Sequence, residues 1–593
     1  MIALPPAYVG PGAGFAFLGS FLTLVLSVLA GLASILIWPF RVIRAAFHRP
    51  RGAVRKIIFL GFDGLDPRVT ERLMDEGQLP NFVRLKEQGG YRRLRTTFPA
   101  LSPVAWSTFA TGVNPGKHNI FDFLTRDLRT YVPELSSAKV TGNSIQMRRK
   151  SEPFWKILGR HAISSTILRV PITFPPEPFN GRLLSAMCTP DLRGTQGTFS
   201  KFEGLQGELQ GPAGETIPFA VKDGGWLEIQ GRKIPLQTGK YTPWVRLKFR
   251  GARGIARFLR TADGIYVTPV QIDPENPALP ISHPRYYAAY LAKLLGTFST
   301  LGMAEDTFAL NEGAIDKQAF LDQAGFIQKE REAMFFSALE RTNHGVVACV
   351  FDTTDRVQHM CFEDRAIIDN LYRDMDRILG KTLEFADDKT AMFVLSDHGF
   401  CAFRRGVNLN SWLMREGYLV LNGESGDYLE GVDWQKTRAY TFGLGGIYLN
   451  LEGREAQGIV PPDQARAIRR EIAAKLTGLA DGDTVAIQKA CVATDLYRGP
   501  YLPAAPDVVV GYADGYRASW DAAIGKVSKD VFEDNRKPWC GDHCVDPHLV
   551  PGVLFSNRKL TAENPGIEDM ASTALSLFGV ARPSWMEGAP VCS

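Results

Sequence analysis

Met392-Phe-Val-Leu-Ser-Asp-His-Gly-Phe400 sets an acid and an imidazole side by side, directly after four apolar residues. Such a run fits a short parallel strand buried on both faces. Ligands of open α/β sheets sit beyond the carboxyl ends of the strands. Asp397 and His398 can both turn toward one cation there, with Gly399 allowing a sharp turn of the backbone. Taken alone, the same residues read equally as a capped turn. Three further strand ends carry matching chemistry. Asp63 follows Lys56–Phe62. Asp355 and His359 lie just past Val346–Phe351, spaced i, i+4, so one helical turn places them on one face. His543 stands in Gly541-Asp-His-Cys544, shortly before the apolar run Gly552-Val-Leu-Phe-Ser556. Each residue singly is most simply a surface or cap group; the ordered set is specific. Three carboxylates and three imidazoles suit two zinc-like ions better than magnesium, which prefers oxygen and water. Paired metals are a recurring device for in-line phosphoryl displacement.

The elements that must position these residues alternate in type. Lys56–Phe62 reads as a first strand, followed by helices from Pro67 to about Glu76 and from Leu79 to Gln88. A loop from Thr96 to Pro103 leads into a helix near 103–111, broken at Thr111-Gly112. Later come a helix near Asp316–Glu340, the strand Gly345–Phe351, a helix near Asp364–Ala386 and the strand Thr390–Leu395. Further strands are expected at 507–511 and 552–556, with a last helix at 568–578. Strands alternating with long helices predict an α/β fold: a doubly wound, largely parallel sheet with helices on both faces. Between 125 and 310 the pattern changes to short alternating segments such as Trp226-Leu-Glu-Ile-Gln and Trp244-Val-Arg-Leu-Lys-Phe. That stretch reads as an inserted β-containing cap, with 163–190 returning to the main sheet and a helix at Pro284–Leu295. The expected organisation is a tail (1–14), a membrane helix (15–40), a basic segment (41–55), a first catalytic part (56–124), the cap (125–310) and a second catalytic part (311–593).

On these residues the chain resembles the alkaline phosphatase superfamily, nearest its type I phosphodiesterase/nucleotide pyrophosphatase branch. The resemblance is carried by Phe62-Asp63-Gly64, Ser102 through Thr111-Gly112 to Pro115 and His118, Asp355-x-x-x-His359, Asp397-His398-Gly399, Gly541-x-His543 and Ile567-Glu-Asp-Met-Ala-Ser-Thr573. Gly302-Met-Ala-Glu-Asp-Thr307 and Asp352-Thr-Thr-Asp-Arg-Val-Gln-His359 are similar to a prokaryotic subgroup described as phosphohydrolases or phosphomutases. The resemblance implies one metal on Asp355, His359 and His543, and another on Asp63, Asp397 and His398. It places the nucleophile nine residues before the Thr of Thr-Gly, at Ser102, with a covalent phosphoenzyme that water opens. Pro103 would start the following helix and aim its dipole at the phosphate. A plain N-cap serine is the alternative for Ser102, and Thr97 the alternative nucleophile. Two departures stand out. No Arg accompanies Ser102, and Asp122 stands where the pyrophosphatases have a phosphate-contacting Asn. Arg404-Arg405 could supply charge or form a solvated loop.

Composition bounds the remaining readings. The 593 residues are 45% hydrophobic and 22% charged, with a net charge of +5. Residues 1–40 carry no charge, while 41–56 hold Arg41, Arg44, Arg49, Arg51, Arg55 and Lys56 with no acid. The rest is close to neutral, so no nucleic-acid partner is expected. Eight scattered cysteines do not make a disulfide scaffold; Cys540-Gly-Asp-His543-Cys544 lacks the second pair that a zinc knuckle needs. Phe15–Trp38 is apolar and long enough to span a bilayer. With positive charge only after it, a single-pass anchor with a cytoplasmic body is expected. Ser20, Thr23, Ser27, Ala30 and Ser34 form a small-residue stripe that could pair two such helices into a homodimer. The expected function is a two-metal phosphohydrolase acting on a phosphate ester, most simply a phosphodiesterase. A phosphotransferase or phosphomutase is the alternative within the superfamily. A catalytically degenerate membrane scaffold is the alternative outside it.

Overall fold

A computed structural model of the protein describes residues 52–592, apart from 142–143 and 223–224. Its centre is an eight-stranded sheet: β1 (Lys56–Phe62), β2 (Gly90–Leu94), β3 (Ser165–Leu168), β4 (Gly181–Leu184), β5 (Ser282–His283), β6 (Gly345–Phe351), β7 (Thr390–Leu395) and β8 (Gly552–Ser556). Their order across the sheet is β5-β4-β3-β6-β1-β7-β8-β2. The five strands from β4 to β7 are parallel to one another. β5 is antiparallel to β4, and β8 is antiparallel to both β7 and β2. The fold is therefore mixed α/β around a mostly parallel sheet.

The seven residues of β1 are all buried, as a central parallel strand requires. Its side chains alternate between two cores. Helices α1 (Pro80–Gln88), α2 (Ser102–Thr111), α3 (Phe154–Arg160), α4 (Lys317–Glu340), α5 (Thr353–Cys361), α6 (Arg365–Leu383) and α7 (Asp569–Leu577) cover the faces. Ile58, Leu60 and Phe62 pack with Phe82 of α1, Phe335 of α4 and Met375 of α6. Ile57 and Phe59 pack with Phe109 of α2, Phe154 of α3 and Met570 of α7. Caps match the sequence signals: Asp316 accepts from Ala319 N at 2.8 Å to start α4, and Gly112 closes α2 at φ 67°.

The stretch between β4 and β5 folds into small antiparallel sheets with period-two burial. Val245–Phe249, for example, runs buried-exposed-buried-exposed-buried. The strand expected at 507–511 forms as Val508–Tyr512, but outside the central sheet. It joins Ala439–Phe442, Gly446–Leu449 and Ile487–Val492 in a separate antiparallel sheet with its own apolar core. Gly443–Gly445 make a tight hairpin there, so local pairing replaces the β/α alternation read from the sequence.

The anchor requires correction. Among the described residues no helix is long and apolar enough to cross a membrane. The longest, α4, has 24 residues but carries Lys317, Asp322, Lys329, Glu330, Arg331, Glu332 and Glu340, a load that hydrocarbon does not accept. The expected single-pass helix and the stripe from Ser20 to Ser34 lie outside the described residues. An uncharged run in sequence meets the length condition for a span; no described element carries one, so the expected single-pass membrane location is unsupported.

Candidate active site

All six predicted ligands and Ser102 converge at the carboxyl edge of the sheet. Asp63 continues the β1 ladder, its N–H donating to Phe351 O at 2.9 Å. Gly64 follows at φ 71°, and a Cβ there would lie 2.5 Å from the Phe400 ring; only glycine satisfies both conditions. Gly399 differs from expectation. Its backbone is not left-handed, and its missing Cβ matters because one would sit 2.6 Å from Asp66 Oδ2. Asp355 and His359 share a face of α5, with Asp355 Oδ1 3.3 Å from His359 Nε2. His543 comes from a distant segment. It reaches the same edge because β8 is antiparallel, so its start lies beside the ends of its neighbours. His543 Nε2 is 3.5 Å from Asp355 Oδ1.

Ser102 is the first residue of α2, preceded by Leu101 at the cap, so the helix begins one position before Pro103. Its hydroxyl does not cap the helix. It lies 3.2 Å from Asp63 Oδ1 and 3.0 Å from His398 Nε2. Thr97 instead donates its hydroxyl to Pro99 O at 2.7 Å. One helical turn beyond Ser102, Trp106 Nε1 donates to Asp63 Oδ2 at 2.9 Å.

The three imidazoles are oriented alike. His359 Nδ1 pairs with Gly541 O at 2.8 Å, His398 Nδ1 with Gly399 O at 3.0 Å and His543 Nδ1 with Ala100 O at 2.7 Å. A carbonyl only accepts, so each Nδ1 carries the proton and each Nε2 lone pair faces the acids. The His398 and His543 rings lie face to face, 3.6 Å between centroids. Burial pushes the His398 pKa well below its usual range, helped by His543, and burial also lowers that of His543. Both are therefore neutral, the form that ligates metal.

The acids divide. Burial raises Asp63 well above the usual carboxylate range, reinforced by Asp397 and Asp355. Burial, with Asp355, pushes Asp397 up to about 7. Asp355 is pulled well below the usual range: burial opposes its charge, but His359 and Arg356 outweigh that. Both Asp355 oxygens and Asp397 Oδ2 are buried without a hydrogen-bond partner. Orphaned buried oxygens facing three imidazole lone pairs fit a cation site. Asp355, His359 and His543 offer donor atoms within 4.8 Å of one another, as do Asp63, Asp355 and His398. Asp355 thus stands between the two groups, while Asp397 Oδ2 lies 3.3 Å from His398 Nε2.

Several supporting residues escaped the sequence reading. Asp542 accepts from the His543 and Cys544 N–H groups at 2.8 and 2.9 Å, pairs with Arg517 at 2.8 Å and accepts from Trp539 Nε1 at 2.9 Å. The Trp539 ring lies 4.0 Å from that of His359. Asp542 was visible inside the Gly541–Cys544 motif, and Trp106 at i+4 from Ser102; nothing local marks Arg517. His118 is fully enclosed, bonded to Thr108 Oγ1 at 2.9 Å through Nε2 and accepting from the Ile120 N–H at 3.2 Å through Nδ1. Asp122 accepts from the Phe123 and Leu444 N–H groups. Arg404 faces Glu363 at 3.6 Å, and Arg405 pairs with Asp481 and Asp534.

No curated protein matches the chain. Similar solved structures include phosphonoacetate hydrolase from Sinorhizobium meliloti 1021, 13% identical at TM-score 0.45 over 89% of this chain and 97% of that one. Wild-type alkaline phosphatase PafA is 12% identical at TM-score 0.46, over 91% and 98%. Human ectonucleotide pyrophosphatase / phosphodiesterase 5 is 10% identical at TM-score 0.43, over 90% and 97%. The family whose sequence model matches is described as type I phosphodiesterase / nucleotide pyrophosphatase, and it takes in residues 57–208 and 213–529. The chain belongs to this family and is a phosphoester hydrolase.

Proposed function

We propose that the chain hydrolyses a phosphodiester through Ser102, with two zinc ions held by Asp355, His359 and His543 and by Asp63, Asp397 and His398. The observation that carries this reading is the position of the Ser102 hydroxyl between Asp63 Oδ1 and His398 Nε2, beside carboxylate oxygens with no other partner. When bound, such ions lower the pKa of a coordinated hydroxyl and neutralise phosphoryl charge. Asp63 and His398 each offer an acceptor for the single Ser102 proton. Trp106 fixes the Asp63 carboxylate through its other oxygen. Ser102 Oγ attacks phosphorus, the bond to the leaving alcohol breaks, and water then cleaves the phosphoserine ester. A degenerate scaffold gains nothing from burying six such side chains with three of their carboxylate oxygens left unpartnered, which costs folding free energy. The test is hydrolysis of an aryl phosphodiester by the zinc-loaded protein, with chelator as control. Chelator-sensitive turnover is expected. Turnover indifferent to chelator overturns the metal reading, and phosphate delivered to an added alcohol rather than water makes the protein a transferase.

A further inference from the structure

The site as described contains a nucleophile and ligands but no settled group for the phosphoryl oxygens. Asp122 is spent on backbone N–H groups, and Arg404 and Arg405 face other acids. Among the described residues, one arginine or lysine pairs with any of the six converging ligands. It is Arg356, whose Nη2 lies 2.6 Å from Asp355 Oδ2 with only 8% of its side chain exposed. The contact is not aligned as a hydrogen bond: Arg356 Nε and both Asp355 oxygens are buried without hydrogen-bond partners. A guanidinium carries five N–H donors in a planar fork that matches two oxygens of a phosphate. A buried fork with its Nε edge unused is half of an anion site.

The surrounding acids keep Arg356 charged but do not fill the fork. Asp352 is taken by Arg331. Glu305 accepts from Thr353 Oγ1 at 2.6 Å through Oε1, and its Oε2 is unpartnered. Arg356 and Ser102 flank the same acids: Asp355 groups with Asp63 and His398 within 4.8 Å, and these two residues touch the Ser102 hydroxyl. A cation on Asp355 competes with the guanidinium for that carboxylate, which leaves the fork to another anion.

We propose that Arg356 is the phosphate-binding residue of this enzyme, presenting Nε and Nη2 to two phosphoryl oxygens of an ester held at Ser102. It takes the place of the arginine missing beside Ser102. This rests on the hydrolase reading above, and the test separates the two. The experiment uses zinc-loaded full-length wild type, Arg356→Met, Arg356→Lys and Ser102→Ala. It measures zinc content by metal analysis and inorganic phosphate binding by calorimetry. Arg356→Met is expected to keep wild-type zinc content and bind phosphate at least tenfold more weakly. Arg356→Lys, with charge but no fork, should fall between, and Ser102→Ala should bind phosphate close to wild type. If Arg356→Met loses zinc while its loaded fraction binds phosphate like wild type, Arg356 merely positions Asp355 and the proposal fails. If Arg356→Met does not fold, Arg356→Lys decides, and an unchanged phosphate affinity there overturns the proposal. A zinc-loaded wild type that binds no phosphate removes the hydrolase site itself, and the clamp with it.

Discussion

Replacing Ser102 by alanine separates chemistry from packing. The residue is 1% exposed, and its hydroxyl is hydrogen-bonded to Asp63 Oδ1 and His398 Nε2. One proton serves two acceptors, so at most one full hydrogen bond is lost, worth about 1 kcal/mol. No methylene is removed and no cavity opens beyond one oxygen atom. The helix start is unaffected, because Ser102 does not cap it. The loss leaves buried acceptors on Asp63 and His398 without that donor, so stability should fall by about 1–3 kcal/mol. Loss of the attacking atom should cost at least ~4 kcal/mol of barrier, a thousandfold in rate at ~1.4 kcal/mol per decade. The assay pairs urea unfolding with turnover of an aryl phosphodiester by zinc-loaded protein. Thr97→Ala is the control, since its hydroxyl serves Pro99 O and should leave turnover within a few-fold. If Ser102→Ala turns over within a few-fold of wild type while Thr97→Ala is dead, the nucleophile is misassigned.

Three further outcomes follow from the geometry. A His359→Ala, His543→Ala double variant should lose bound zinc relative to wild type by metal analysis, because both Nε2 atoms face Asp355; equal content refutes the ligand set. In the metal-free protein, burial and Asp355 raise Asp397 to about 7, so the folded state holds a proton that the unfolded chain releases above about pH 4. Its contribution makes metal-free stability fall as pH rises from about 4 to 7. Zinc displaces such protons, so the rise in Tm on adding zinc should be larger at pH 8 than at pH 6; the opposite order contradicts this account. Arg517→Ala leaves the buried Asp542 carboxylate unpaired, a loss of about 3 kcal/mol or more. Its denaturation midpoint should drop and its zinc content fall as His543 loosens, whereas an unchanged midpoint excludes the coupling.

The sequence by itself determined the elements that depend on neighbours along the chain. The apolar runs at β1, β6, β7 and β8, the helix starts at Pro67 and near Asp316 and the i, i+4 pair Asp355–His359 all follow from local spacing and backbone preference. The six ligand types could be read because strand ends are local features and ligands collect there. Tertiary structure decided what depends on strand direction and on contacts between remote segments. Pairing with Ile487–Val492 and with the remote Gly446–Leu449 took Val508–Tyr512 into a second antiparallel sheet. The reversal of β8 brought His543 to the site. Arg517, far in sequence from His359, came to hold Asp542 through a buried ion pair. The pairing of Arg356 with Asp355, and the orphaned oxygens around it, are likewise invisible in a string of letters: burial removes water, and only the folded arrangement shows which polar atoms it has left without a partner.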